Sequence, residues 1–138
     1  MMHYHEIRKA ATSDTCTHNI RVTTESYYVP EQSDPRNNHY FFAYNIRIAN
    51  EGSEPARLLT RNWTITDGVG QKQIVRGSGV VGKQPRLEPG ESFVYSSACP
   101  LPTPTGQMRG RYHMVRDDGE SFDVAIGEFR LLAPLMLN

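Results

Sequence analysis

The chain has 138 residues, the size of one ordinary domain, and its 15 basic residues balance its 15 acidic ones. That balance excludes a global field for steering nucleic acid or an anionic membrane. No run approaches the roughly 20 apolar residues of a membrane span, and the polar start from Met1 to Glu6 lacks a signal-peptide pattern. A cytoplasmic location is therefore expected.

Residues 1–17 are polar and aperiodic and are expected to form a flexible N-terminal arm, with the folded domain spanning 18–138. Ile20, Val22, Thr24, Ser26 and Tyr28 then alternate with more polar residues, the signature of a half-buried strand. Two prolines and no aliphatic side chain mark 30–38 as loop. The strongest strand pattern follows, with Tyr40, Phe42, Tyr44, Ile46 and Ile48 on one face. A third strand, from about Arg57 to Thr66, places Leu59, Trp63 and Ile65 inward. Trp63 reads as a core anchor. Shorter strands are expected near 72–76 and 92–98, separated by a glycine run and by Glu88-Pro89-Gly90-Glu91, whose Pro-Gly centre suits a type II turn.

The last two strands test their own register. Met108, Tyr112 and Met114 should face inward with Phe122, Val124 and Ile126. A two-residue Asp118-Gly119 turn would set these rows on opposite faces, whereas a three-residue loop, Asp117-Asp118-Gly119, pairs Met114 with Phe122 and Tyr112 with Val124. The three-residue hairpin is therefore predicted, with Gly119 at positive φ and His113 opposite Asp123. No amphipathic helix of useful length appears, and turn signals recur every ~10 residues. The expected fold is all-β: an immunoglobulin/fibronectin type III-like β-sandwich of about seven antiparallel strands.

Gly77-Ser78-Gly79-Val80-Val81-Gly82 is formally a G-x-G-x-x-G. Such a run binds pyrophosphate where it joins a strand to a helix. Pro85 and Pro89 leave no room for a helix, and no βαβ unit surrounds the run, so the dinucleotide reading fails its context. Two readings stand. In the first the glycines form a structural bend, with Val80 and Val81 filling the core. In the second Gly77, Gly79 and Gly82 form an anion-binding nest assisted by Lys72, Arg76 and Lys83, since residues 71–87 contain no acid.

Among the histidines no pair has ligand spacing. His3 would complete a square-planar Cu(II) or Ni(II) site if the native terminal amine is free. No cofactor is implied. No nucleophile elbow surrounds Ser96 or Ser97, paired carboxylates sit in turns, and a fully packed sandwich offers no cleft, so no catalytic residues are assigned and no enzyme is expected. Cys16 and Cys99 lack the number and spacing of a disulfide framework, and one semi-exposed and one packed thiol are expected.

Five stretches, taken in order, resemble the ApaG family. They are Arg61-Asn62-Trp63-Thr64-Ile65-Thr66; Val75 through Pro85; Pro89-Gly90-Glu91 leading to Tyr95-Ser96-Ser97; Thr105 through Tyr112; and Phe122 through Ile126 leading to Phe129-Arg130-Leu131 and Pro134. One departure is Gly127, where the family usually has proline, which implies a locally looser last strand. The resemblance implies a fibronectin type III-like sandwich, a link to cobalt and magnesium efflux, and, from eukaryotic relatives, a protein-recognition role. It transfers no catalytic residues. Three functions follow as expectations. The first is a non-enzymatic interaction module, using strand edges and outward aromatics such as Phe41 and Tyr27. The second is a phosphate or nucleotide sensor using 77–82, and the third is direct divalent-cation binding, for which no oxygen-rich cage is seen. The expected partners are an unidentified protein, a phosphate-containing small molecule or a second copy in a homodimer, with neither nucleic acid nor membrane.

Overall fold

A computed structural model describes residues 9–134. Nine strands form: β1 (Lys9–Thr17), β2 (Ile20–Tyr28), β3 (Tyr40–Asn50), β4 (Ala56–Asp67), β5 (Lys72–Ser78), β6 (Arg86–Leu87), β7 (Ser92–Leu101), β8 (Thr105–Arg116) and β9 (Ser121–Leu132). They make two antiparallel sheets, ordered β1-β2-β3-β7 and β5-β4-β8-β9, with β6 pairing the start of β4. The fold is a β-sandwich, and the seven expected strands are β2, β3, β4, β5, β7, β8 and β9.

The period-two patterns set the buried face. Along β2, Ile20, Val22, Thr24, Ser26 and Tyr28 are all buried, and along β3 Phe42, Tyr44, Ile46 and Ile48 join them. Trp63 lies edge-on to Tyr44 and Phe129, with ring centres 5.7 and 6.0 Å away. Buried polar side chains have partners: the Ser26 hydroxyl donates to the Arg130 carbonyl at 2.6 Å, and Thr24 shares a 2.6 Å hydroxyl contact with Ser13.

The hairpin register is the predicted one. Met114 pairs with Phe122, Tyr112 with Val124 and His113 with Asp123, and Gly119 takes φ +92°. The 117–119 loop closes with the Arg116 amide donating to the Glu120 carbonyl at 2.7 Å.

Two expectations are corrected. The first concerns the arm, whose residues 9–17 form β1, paired with β2 along its length. The strand is polar because hydroxyls, not aliphatic groups, zip it to β9. Ser13 donates to the Gly127 carbonyl at 2.9 Å, and the Ala125 amide donates to Thr17 Oγ1 at 3.2 Å. Gly127 is the point of closest crossing, where a Cβ would stand 2.3 Å from Thr15 Oγ1. The second concerns Leu59, which is not a core residue; Leu58 is, fully buried. Leu58 pairs with Met114 and Thr60 with His113, so Leu59 is the extra residue of a bulge. The bulge shifts the inward side of β4 from Ala56 and Leu58 to Trp63 and Ile65. A second irregularity, between Met108 and Gly110, does the same to β9, whose inward set passes from Val124 and Ile126 to Phe129 and Leu131.

Candidate functional site

The sandwich is closed on one side and open on the other. β1 and β2 pack against β9. At the opposite side, among the described residues, each sheet ends in an unpaired edge, β5 in one and β7 in the other. Between them lies a cleft of about 390 Å³, which the expectation of a fully packed core did not foresee. Its walls include Trp63, Val75, Val81 and Pro100, and its polar groups come from Arg61, Tyr44, Tyr95 and Ser97. The Tyr95 and Tyr112 hydroxyls meet at 2.5 Å beneath it. The exposed Val81, on the glycine turn, stands at this opening, while alternation turns the exposed Ile74 of β5 and Val94 of β7 to the outer faces of their sheets.

The glycine run closes one end of the cleft, and it is a turn. The Val80 amide donates to the Lys83 carbonyl at 2.8 Å and the Lys83 amide returns a bond to the Val80 carbonyl at 2.9 Å. Val81 and Gly82 between them take φ +43° and +79°, the pair of positive values that a type I′ turn requires. Val80 is buried, as expected, but Val81 is 55% exposed. The Gly79 amide donates to the carbonyl of the bulge residue Leu59 at 2.8 Å, and Gln84 Nε2 donates to the same oxygen at 3.0 Å. Arg61 lies against Gly77, where a Cβ would be 2.7 Å from the guanidinium. It donates to the carbonyls of Ser78 and Gly79 at 3.0 and 2.8 Å. Arg61 joins this corner from another strand, so the run of basic neighbours did not reveal it.

The six residues considered for an anion are thus placed differently. Gly77 lies near the end of β5 and Gly79, Gly82 and Lys83 are in the turn that follows, but the amides of Gly79, Val80 and Lys83 are spent inside the protein. Lys72 is at the other end of β5, about 20 Å from Ser78 by strand rise. Arg76 sits between, its register partner being Asn62. Arg86, beside the run in sequence, is bound to Glu88 at 2.7 Å and to Asp117 at 2.5 Å.

A family model described as the ApaG domain matches residues 30–116. The chain belongs to the ApaG domain family. Proteins named ApaG from Bdellovibrio bacteriovorus and Bordetella pertussis are 53% and 54% identical to it, over 86% and 88% of this chain and 94% and 92% of theirs. A crystal structure described as an ApaA protein from Bordetella pertussis is 52% identical, with a TM-score of 0.83, covering 88% of this chain and 99% of the other.

In this ApaG domain the thiol and phenols around the cleft are held neutral, beside the guanidinium of Arg61. Burial pushes the Cys99 thiol up to about 11 and raises the Tyr44 and Tyr95 phenols; Tyr112, deeper still, is raised well above the ordinary phenol value. Cys99 is buried and Cys16 exposed, as expected for two free thiols. His113 Nδ1 contacts Asp123 Oδ1 at 2.8 Å on the outer face. Among the described residues no three His, Cys, Asp or Glu side chains gather as metal ligands. His3 lies outside the described residues. No helix among them is long and apolar enough to cross a membrane.

Proposed function

We propose that this ApaG domain is a non-catalytic protein-recognition module that takes an extended segment of a partner at the opening between β5 and β7. The observation that carries the reading is the pairing of two free strand edges across a cleft of mixed apolar and polar lining. A free edge supplies main-chain hydrogen bonds, and a cleft beside it supplies side-chain pockets. The exposed Val81 extends the apolar surface at the cleft, whereas Phe41 and Tyr27 are half-buried on the middle strands of the β1-β2-β3-β7 sheet. Lys72 and Lys83, at the two ends of this edge, favour an apolar segment with acidic flanks. The raised thiol and phenols support a binding role, because they are neutral where a nucleophile or base would need to be ionised. A contribution to divalent-cation efflux would then run through the partner. The phosphate-nest reading is the weaker one, since the amides of Gly79, Val80 and Lys83 have internal acceptors.

Photo-crosslinkers placed at Gln73 and Ser97, which line the cleft, should capture the partner in cells, and a crosslinker at Thr12 should not. Val81→Asp should abolish capture without lowering the melting temperature, since its side chain is exposed at the cleft. Equal capture from Thr12, or full capture by the Val81→Asp variant, would place the interface elsewhere.

A further inference from the structure

The outer face of the sheet β5-β4-β8-β9 carries a concentration of positive charge that the neutral total conceals. Trp63, Ile65, Met108 and Tyr112 point inward, so alternation turns Asn62, Thr64, Arg109 and Arg111 outward. Register then aligns Arg76, Asn62 and Arg111 across three adjacent strands. The next row sets Ile74, Thr64 and Arg109 side by side, and the one beyond brings Lys72, Thr66 and Gln107 with Arg130. Two acids share the face, Asp123 and Glu128. Asp123 is held by His113 at 2.8 Å and lies 3.8 Å from Arg111. Arg76 and Arg109 have no acid within ion-pair distance among the described residues. Most remaining acids sit at the turns, such as Asp117, Asp118 and Glu120.

The shape matches the charge. Two shallow troughs, of about 480 and 470 Å³, run along β4 and share Asn62 and Arg111. Their floor is short: Thr60, Asn62 and Thr64. Arg76 walls one side, and Arg111 and Arg109 wall the other. Two strand spacings separate Arg76 from Arg111, about 9.6 Å, so their guanidinium groups can close on a tetrahedral anion standing over Asn62. The guanidinium fork matches phosphate oxygens in pairs. Arg109 follows Arg111 by two residues, about 7 Å along the strand, and so reaches the next phosphate of a linear chain. Sequence-tolerant binding of a nucleic acid strand would call for several aromatic rings to stack its bases, and no Phe, Tyr or Trp stands on this face among the described residues, His113 being held by Asp123.

We propose that the outer face of β5-β4-β8-β9 binds a linear oligophosphate chain, with Arg76 and Arg111 gripping one phosphate over Asn62 and Arg109 the next. The site is separate from the β5/β7 cleft and from the glycine turn.

The test is an NMR titration of the full chain with inorganic tripolyphosphate, followed through backbone amides. Saturable shifts are expected at 60–64, 76 and 109–113, weakening as salt is raised. Arg76→Gln and Arg111→Gln should each weaken binding about tenfold, while Arg47→Gln on the opposite sheet leaves it unchanged. Circular dichroism checks that each variant is folded. A parallel titration with ATP separates the sources: tighter binding than tripolyphosphate puts the chain on a nucleoside, and equal or weaker binding leaves the chain alone as ligand. Shifts confined to 79–83 and lost in Lys83→Gln, equal weakening by Arg47→Gln, or no saturation at millimolar tripolyphosphate would each overturn the proposal.

Discussion

Val81 holds φ +43° although its side chain is β-branched, a conformation that sterics disfavour for any such residue. The turn imposes it, because Val80 is anchored in the core and Lys83 must pair back with it. Val81→Asn should relieve this strain and raise stability by about 1 kcal/mol, measured by urea unfolding with Trp63 fluorescence. Asn50 is the opposite case, a buried polar residue on which two connections depend. Its Nδ2 donates to the Glu54 and Leu87 carbonyls at 2.8 and 3.0 Å, and its Oδ1 accepts from the Gly52 amide at 3.0 Å. Asn50→Ala would orphan all three and should cost about 1–3 kcal/mol by the same measurement. The glycine motif was legible at this scale only in part. Pro85 ruled out the helix that pyrophosphate binding needs, but the bond from the Gly79 amide to Leu59 depends on a bulge in a strand some twenty positions earlier.

The β8–β9 hairpin was readable because two rows of large side chains had to share one face, and only a three-residue loop allows that. The strand β1 was not readable, since its contacts are made by Ser13, Thr15 and Thr17, whose hydroxyls look like loop chemistry until β9 is beside them. The short strand β6 has a clear electrostatic partner in this hairpin: Arg86 reaches Asp117 and Glu88. The Arg86 bond holds the Asp117 carboxyl below its ordinary value of 3.8. A depressed folded-state value stabilises the fold above the unfolded value, and the contribution is lost as pH falls through the folded one. Arg86→Gln should therefore flatten the acid limb of the melting temperature below about pH 4 and leave its slope near neutrality unchanged, as read by thermal denaturation across pH.

For the molecule as a whole, the buried phenols predict the alkaline limit. Tyr44, Tyr95 and Tyr112 are raised chiefly by burial. A raised folded-state value gives stability that is complete below the ordinary phenol value of 10 and is lost as pH rises beyond it. Stability should therefore fall from about pH 10 upward, with the phenolate absorbance of these side chains appearing together with unfolding. Tyr95→Phe combined with Tyr112→Phe removes both ends of their hydrogen bond and should move the alkaline midpoint to higher pH. The sandwich itself, the buried faces of β2 and β3, the last hairpin and the role of Trp63 were determined by the sequence, because each depends on period-two alternation or on local turn chemistry. The tertiary structure alone decided the inclusion of β1, the burial of Leu58 over Leu59, the cleft between β5 and β7, and the row Arg76-Asn62-Arg111. Each of these depends on which strands become neighbours and where bulges shift their register, and those are long-range facts that no single stretch of chain encodes.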